Sequence, residues 1–393
     1  MKPAVAMLVI VLVAAGRVDA QARVSFIPSV SLFTVYDDNL FARARGSAGQ
    51  MLELRPRFEG NYESARTQLL GLDAFDMQKS NHSALNTLDA RRHALGTVRY
   101  RITPVTTVGL GLRYDRTETP GELNLETGVL GERRTADRWE ATPALVHRFS
   151  VQTSATASYN GMTESLVAGD RGTLHVARAG LSRELGSRTA ITGSYVGRYF
   201  VDNVERHVSH AALIGWSRET SPGTRVTLSA GPKVTSYGGV VPEVNAGYAR
   251  HTNRVDLAVD YVHGETIVLG IDGPVAVDSA TSRLTWPVTR SVEIGLHAGA
   301  SDIVTLDDRE MNIYRGALVA SWSPRASTYT VAATYGIDAQ LGTIRRLIPG
   351  EDAVPPGQYI FRHVLRVGLT VAPRLSRSLL PPEEVARAKG VTR

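Results

Sequence analysis

Apolar and polar residues alternate along most of the chain after Arg23, in short stretches with no helical spacing between them. In the stretch 51–62, Leu52 and Leu54 fall on one side of an extended chain, while Arg55 and Arg57 fall on the other. Successive side chains of a strand point to opposite faces, so each stretch is a strand with one apolar and one polar side. About eighteen such stretches predict a transmembrane antiparallel β-barrel with an apolar exterior and a wet interior, and sixteen strands is the alternative count.

The first strand is predicted at 24–36, with Val24, Phe26 and Leu32 on its outward face. Clear alternation continues at 94–102, 108–114, 139–149, 191–201, 226–234, 255–261, 292–300, 314–322, 329–337 and 359–371. Weaker alternation surrounds Leu70, Val176, Val244 and Val277. No helical stretch interrupts the series, so the predicted fold class is all-β.

The connections between these strands alternate between short and long. Short ones are predicted near 63–64, 103–104, 186–187, 221–223, 252–253, 287–288 and 324–325, and long polar ones at 37–50, 77–86, 117–134, 162–171, 263–274, 301–310 and 338–356. Outer-membrane barrels carry short turns on the periplasmic side and long loops outside. The alternation therefore predicts an even strand number and periplasmic N- and C-termini.

Aromatic residues support this topology, because most of them fall at strand ends and few in mid-strand. Those near the short turns are Tyr62, Tyr100, Phe149, Trp216, Trp286, Trp322 and Tyr329, and those near the long loops are Tyr36, Tyr114, Trp139, Tyr159, Tyr199, Tyr261, Tyr314, Tyr335 and Tyr359. Two belts of this kind are typical of a protein that crosses a membrane. A soluble β-sandwich or solenoid is the alternative that they disfavour.

Three segments follow from this pattern: a signal peptide at 1–22, the barrel at 23–372 and a periplasmic C-terminal tail at 373–393. Lys2 precedes the apolar run 5–15, and small residues allow cleavage after Ala20 or Ala22. The run is about half the length that a spanning helix needs. We therefore expect an exported protein of the outer membrane in a Gram-negative-type envelope.

Composition excludes several kinds of chemistry. The chain contains no cysteine, which removes disulfides, thiol catalysis and zinc-thiolate sites. The net charge of +6 is modest, and no basic-aromatic stripe indicates nucleic acid. The ten histidines show no spacing typical of a metal site or a catalytic triad, and Asp37-Asp38-Asn39 reads as a turn as readily as a calcium ligand set. We expect neither an enzyme nor a cofactor.

Arginine dominates the face that the register turns inward. The predicted pore-lining residues are Arg55, Arg57, Arg99, Arg101, Arg113, Arg148, Arg362 and Arg366. They cluster on the first six strands and the last, which become neighbours when the barrel closes, and one basic wall would favour anions in a water-filled pore. In the alternative interpretation, the same arginines pair with carboxylates inside the barrel and pin the sheet.

The stretch from Ser31 to Phe41, which includes Tyr36-Asp37-Asp38-Asn39-Leu40-Phe41, resembles the opening of outer-membrane β-barrel porins found with exopolysaccharide export systems. The resemblance extends over the strand pattern of 24–372. It implies a pore for passage across the outer membrane, with a secreted polysaccharide as the candidate cargo and periplasmic export components as candidate partners, but it does not identify a substrate. Export of an acidic exopolysaccharide is the sharper hypothesis. Outer-membrane lipid and the barrel assembly machinery are the other expected partners. One departure is that the last strand ends near Val371-Ala372 without the terminal aromatic residue common in such barrels. The alternative function is a structural or adhesion barrel with a blocked lumen and partner-binding outer loops.

Overall fold

A computed structural model describes residues 22–43, 45–124, 127–131, 133–167, 169, 171–202, 205–324, 327–342 and 359–373. Apart from Ala22 and Pro373, the predicted signal peptide and C-terminal tail lie outside the described residues. Eighteen antiparallel strands form one closed ring, as the alternation predicts, and the alternative of sixteen strands is wrong. Within the described residues, no helix has the length and apolarity needed to cross a membrane.

The strands follow one another around the ring in chain order. They are β1 (Arg23–Asp37), β2 (Gly49–Glu63), β3 (Thr67–Ser80), β4 (Thr87–Thr103), β5 (Thr106–Thr117), β6 (Ala136–Arg148), β7 (Thr153–Leu166), β8 (Arg171–Glu184), β9 (Thr189–Val201), β10 (Arg206–Ser221), β11 (Thr224–Thr235), β12 (Gly239–His251), β13 (Asp256–Ile267), β14 (Pro274–Pro287), β15 (Val292–Val304), β16 (Glu310–Trp322), β17 (Tyr329–Gly342) and β18 (Tyr359–Val371). Two short 3₁₀ turns, Ser83–Leu85 and Pro120–Glu122, lie in the connections.

Strands β1 and β18 close the ring. Their register runs from Val30 opposite Val371 to Asp37 opposite Val364, while β1 also pairs along its whole length with β2. The two strands approach closely at Gly368, where a Cβ atom would come within 2.1 Å of the Phe33 ring. Only glycine therefore fits at this point of the seam.

The outward face carries the apolar half of each alternating stretch. Exposed apolar residues on this face include Leu110, Val259, Leu296 and Leu318. The strand pairing also places apolar residues opposite each other on this face, as it does Leu296 and Leu318. Large apolar side chains left open to the surroundings in nearly every strand need a covering solvent, which a bilayer supplies. The register thus agrees with the prediction from the sequence.

The connections differ from the prediction in length. Strand β7 continues to Leu166, β13 to Ile267 and β15 to Val304, so the intervening connections shrink to 167–170, 268–273 and 305–309. The ladder continues through polar residues because backbone pairing does not depend on an apolar stripe. Most of the longer connections still fall at one end of the barrel, here called the loop end, and the other end is called the turn end. The connection 343–358 lies outside the described residues.

Candidate functional site: the lumen and the loops that close it

The connection 118–135 folds into the barrel, and we call it the inner loop. Its Val129 is fully buried against Val275, Ile303 and Ile313. These three residues belong to β14, β15 and β16, on the side of the ring opposite β5 and β6, from which the loop starts. A contact between these elements is possible only through the interior, so the inner loop crosses the lumen.

The opposite wall is apolar at its loop end, where the inner loop contacts it. At the loop end, the lumen-facing residues of β14, β15 and β16 are all apolar: Val275, Val277, Ile303, Met311 and Ile313. Closer to the turn end, most lumen-facing residues of these strands are Ser, Thr, Gly, Ala, Arg or His, and the exceptions are Pro287, Glu293 and Val319. Apolar side chains on the wet side of a barrel wall are unfavourable unless something dry covers them. Val129 and Val268 provide that cover.

Hydrogen bonds join the inner loop to β17 and to the connection 268–273. The Leu130 amide donates to Oε1 of Gln340 on β17 at 2.8 Å, and Asn124 Oδ1 accepts from the Leu269 amide at 3.1 Å. Gly128 has a φ of +72° and lies so close to Arg315 that a Cβ atom would come within 2.4 Å of its Nε. The positive φ favours glycine at this position, and a larger residue would also force the Arg315 side chain of β16 to move.

Two further connections meet the inner loop. Leu269, from the connection 268–273, packs with Leu123, and Ala42, from the connection 38–48, packs with Leu130 and Ile360. We call these three segments together the plug. Their shared apolar contacts cover the lumen at the loop end of the barrel.

A cluster of six charged groups anchors the inner loop to the wall of β2, β3, β4 and β18, and we call it the latch cluster. Arg91 donates from Nε to both carboxylate oxygens of Glu122, at 3.1 and 2.8 Å, and from Nη1 to Glu53 at 2.8 Å. The other ion pairs are Arg55–Asp76 at 2.5 Å, Arg91–Asp76 at 3.7 Å and Arg366–Glu53 at 3.1 Å. Burial alone would raise the pKa of the Glu122 carboxyl, but the Arg91 guanidinium holds that pKa well below its usual range.

A second charged network joins the loop ends of β9, β11, β12 and β13 inside the barrel. Glu265 at the loop end of β13 contacts Lys233 at 3.4 Å and accepts from the Tyr237 hydroxyl at 2.5 Å, while Arg198 makes a two-point pair with Glu243 at 2.7 and 2.8 Å. Burial, together with the hydrogen bond to the Glu265 carboxylate, raises the pKa of Tyr237. Tyr237 therefore stays protonated and keeps donating to Glu265 at neutral pH.

The predicted pore-lining arginines divide into two groups. Arg55 and Arg366 belong to the latch cluster, and Arg362 pairs with Asp37 across the seam at 2.6 Å. Arg57 pairs with Glu59 on its own strand, and Arg113 contacts Asp115. For these five residues the geometry is that of the alternative interpretation, in which carboxylates inside the barrel neutralise the arginines. The Asp37–Arg362 pair also takes Asp37 out of any calcium ligand set.

Arg99, Arg101 and Arg148 form the other group. Their register places them on the lumen-facing side of β4 and β6 near the turn end, and all three are exposed. None of them forms an ion pair with another residue in the described parts of the chain. The basic wall is thus concentrated at the turn end rather than spread along the lumen.

The opposite part of the lumen carries many hydroxyl and amide side chains. Lumen-facing positions of β7 to β12 and β17 carry small hydroxyl and amide side chains, among them Ser154, Thr156, Ser158, Asn160, Ser182, Thr192, Ser194, Thr227, Ser229, Asn245 and Thr334. Some bond to each other across strands, as Thr192 does with Ser182 at 3.3 Å. Charged residues interrupt this surface on the same strands, namely Glu164, Arg178, Glu184, Arg198, Glu219, Arg225, Lys233, Glu243 and Asp338. Asp256, Asp260, Arg283, Glu293 and Arg315 do so on β13 to β16. A solute in the lumen therefore meets an arginine-rich wall on one side, and on the other side hydroxyl groups together with charges of both signs.

Sequence reasoning missed Arg91, Glu122 and the plug. The detectable signal was the apolar character of lumen-facing positions such as Val277 and Ile303 at the loop end, matched by apolar residues in the connections. Among the described residues, no group of three or more His, Asp or Glu side chains is arranged to hold a metal ion.

No known family model matches the chain, and no curated protein matches it in sequence. Among solved structures, OccK7 (OpdD) of Pseudomonas aeruginosa is similar over 90% of this chain and 99% of that chain, with 10% identity and a TM-score of 0.48. A variant of the ferric enterobactin receptor PfeA of the same organism is similar over 89% and 80%, with 8% identity and a TM-score of 0.46. A loop L8 deletion mutant of OmpT, an outer membrane protein of Vibrio cholerae, is similar over 90% and 100%, with 11% identity and a TM-score of 0.42. These similarities concern the barrel architecture alone.

Proposed function

We propose that the protein is an outer-membrane channel whose lumen is closed at the loop end by the plug. The observation that carries the proposal is the combination of an apolar exterior with a polar lumen in a closed ring of eighteen strands. A barrel of this size encloses an aqueous space unless something fills it. Among the described residues, the plug fills the loop end, and the exposed Arg99, Arg101 and Arg148 make the other end polar.

The solute that we propose is anionic and rich in hydroxyl groups, with an acidic exopolysaccharide as the specific cargo. Unpaired arginines at the turn end would attract carboxylates, and the Ser, Thr and Asn side chains opposite would exchange hydrogen bonds with sugar hydroxyls. The resemblance at residues 31–41 points to the same class of cargo. In this topology the turn end faces the periplasm, and cargo enters there.

The second candidate function is a structural or adhesion barrel with a permanently blocked lumen. The burial of Val129 against three strands of the far wall favours it, because that contact must be broken before anything passes.

Conductance in a planar lipid bilayer tests the proposal. Purified full-length protein should give discrete current steps, and deletion of the inner-loop residues 119–131 should increase the conductance of each step. Silence of both proteins in bilayers that respond to a control channel would rule out the channel and favour the structural barrel.

A further inference from the structure

The latch cluster contains three guanidinium groups and three carboxylates. Arg55, Arg91 and Arg366 face Glu53, Asp76 and Glu122. The Glu53 and Asp76 side chains rise from strands of the wall and are fully buried, so they are permanent parts of the cluster. Glu122 differs, because a loop carries it and one third of its side chain, 33%, remains exposed.

Removal of Glu122 would leave three positive groups against two negative ones. The site would then hold one excess positive charge, and Arg91 would lose the carboxylate that both its Nε and its Nη2 contact, the latter at 2.7 Å. A buried guanidinium without such a partner is costly, so the vacated position favours another anion of the same shape.

The surroundings of the cluster suit a planar anion that arrives from within the lumen. The guanidinium groups of Arg55 and Arg366 lie 5.6 and 5.4 Å from the centre of the Phe33 ring, which limits their orientation. Their side chains keep 17% and 26% of their surface exposed, which leaves them within reach of a solute. Arg57 on β2 and Arg113 on β5 also face the lumen, on strands that flank β3 and β4, and Arg99 on β4 lies further toward the turn end.

We infer that the latch cluster is a binding site for a carboxylate- or phosphate-bearing solute, and that the Glu122 carboxylate occupies this site until the solute displaces it. The inference rests on the proposed channel function, since it takes the displacing anion to be the transported solute. Displacement breaks the only charged contact between the inner loop and β4 in the described residues, so solute binding and release of the inner loop are coupled. By linkage, whatever loosens the inner loop must also strengthen anion binding.

Thiol labelling measures release of the inner loop without requiring any current. The chain has no cysteine, so Thr127→Cys introduces a unique thiol at a position that is 1% exposed. In the full-length protein in lipid vesicles, sodium glucuronate should accelerate maleimide labelling of this thiol by about fivefold or more, the scale of a typical coupling. Sodium chloride at the same ionic strength and neutral glucose should leave the labelling rate unchanged.

Two variants in the Thr127→Cys background separate the latch from general loosening. Glu122→Gln should label fast without glucuronate and gain nothing from its addition. Glu118→Gln is the matched control, because Glu118 lies in the same loop but pairs with Arg133 of that loop, and it should behave as the parent does. Labelling that is indifferent to glucuronate in the parent, or a Glu118→Gln variant that behaves as Glu122→Gln does, would overturn the inference.

The outcomes also separate this inference from the proposed function. If labelling depends on glucuronate but the protein never conducts, the anion site is supported and the channel function is ruled out. If the protein conducts but its labelling rate does not change with glucuronate, the channel function is supported and the anion site is ruled out.

Discussion

The phenol oxygen of Tyr159 on β7 lies 2.5 Å from Nδ1 of His175 on β8, and the two rings stack at 5.9 Å. Both side chains are on the outward face. His175 is not the ladder partner of Tyr159, which is Ala177; it lies two residues further toward the loop end. The tyrosine ring therefore leans along its strand, over Gly161, where a Cβ atom would meet it at 3.2 Å.

The same diagonal contact recurs around the barrel, always between two strands joined at the loop end. The other pairs are Tyr195–His210, Tyr335–His363, Tyr114–Asp137 and Tyr261–Asp278, at 2.6, 2.8, 2.7 and 2.8 Å. Rings with an apolar body and a polar tip collect where a membrane meets water. These pairs thus mark the level at which the membrane meets water at the loop end of the barrel wall.

Loss of one such hydrogen bond should be measurable. Tyr159→Phe should lower the free energy of unfolding in lipid vesicles by about 1 kcal/mol. In a double-mutant cycle with His175→Ala, the interaction energy between the two residues should account for most of this loss. Tyr314→Phe is the control, since Tyr314 is equally outward and forms no side-chain hydrogen bond within the described chain. Zero coupling between Tyr159 and His175 would show that the contact does not stabilise the hairpin.

Arginine substitutions distinguish the two faces of a strand. Val259 faces outward and is 40% exposed, while its neighbour Ala258 faces the lumen. Val259→Arg should cost about 2–4 kcal/mol near the bilayer midplane, and Ala258→Arg much less. Unfolding by urea from vesicles gives both values. Similar costs for the two variants would contradict the assignment of the faces.

Labelling of intact cells tests the orientation of the barrel. Ala84 is exposed in the connection between β3 and β4 at the loop end, and Ser187 is exposed in the connection between β8 and β9 at the turn end. With the loop end outside, an impermeant maleimide should label Ala84→Cys and leave Ser187→Cys unlabelled until the cells are broken. The reverse pattern would invert the topology.

Charge selectivity should depend on Arg99, Arg101 and Arg148, the exposed arginines on the lumen face of β4 and β6 near the turn end. Replacing Arg99, Arg101 and Arg148 together by Gln should shift the reversal potential of the channel toward cations at low salt, and high salt should reduce the shift by screening. Replacing the outward-facing Arg183 and Arg250 by Gln should leave it unchanged. A triple variant that keeps the selectivity of the parent would exclude the basic wall as its source.

The contribution of Glu122 to closure should depend on pH with a definite sign. Its pKa in the closed protein lies below the ordinary value. Glu122 therefore stabilises the closed state fully when the pH is above the ordinary pKa, and this stabilisation is lost as the pH falls through the lowered pKa. Channel conductance should therefore stay low from about pH 7 to about pH 4 and rise only in stronger acid. Glu122→Gln should lack this rise, and its persistence would assign the acid response to another carboxyl group.

The sequence predicted the strands and missed the plug for the same physical reason. Alternation such as Val108, Leu110 and Leu112 is a property of neighbouring residues, and it can be recognised without knowing the fold. The burial of Val129 by Val275 and Ile303 depends on the closure of the ring, which brings together residues that are distant in the chain. The arginine wall was only partly predictable, because pairing of Arg55 with Asp76 depends on the register between two strands.

The seam, where β1 pairs with β18, also affects the order in which the barrel folds. Fifteen residue pairs join β1 to β2, whereas eight join β1 to β18. Every other strand pair unites neighbours in the chain and can form as a hairpin, but the partners Asp37 and Val364 are separated by almost the whole sequence. Contacts of such long range carry the largest loop-closure entropy and form slowly. The wall of the barrel is therefore completed in one late step, and until then the molecule is an open sheet with two bare edges.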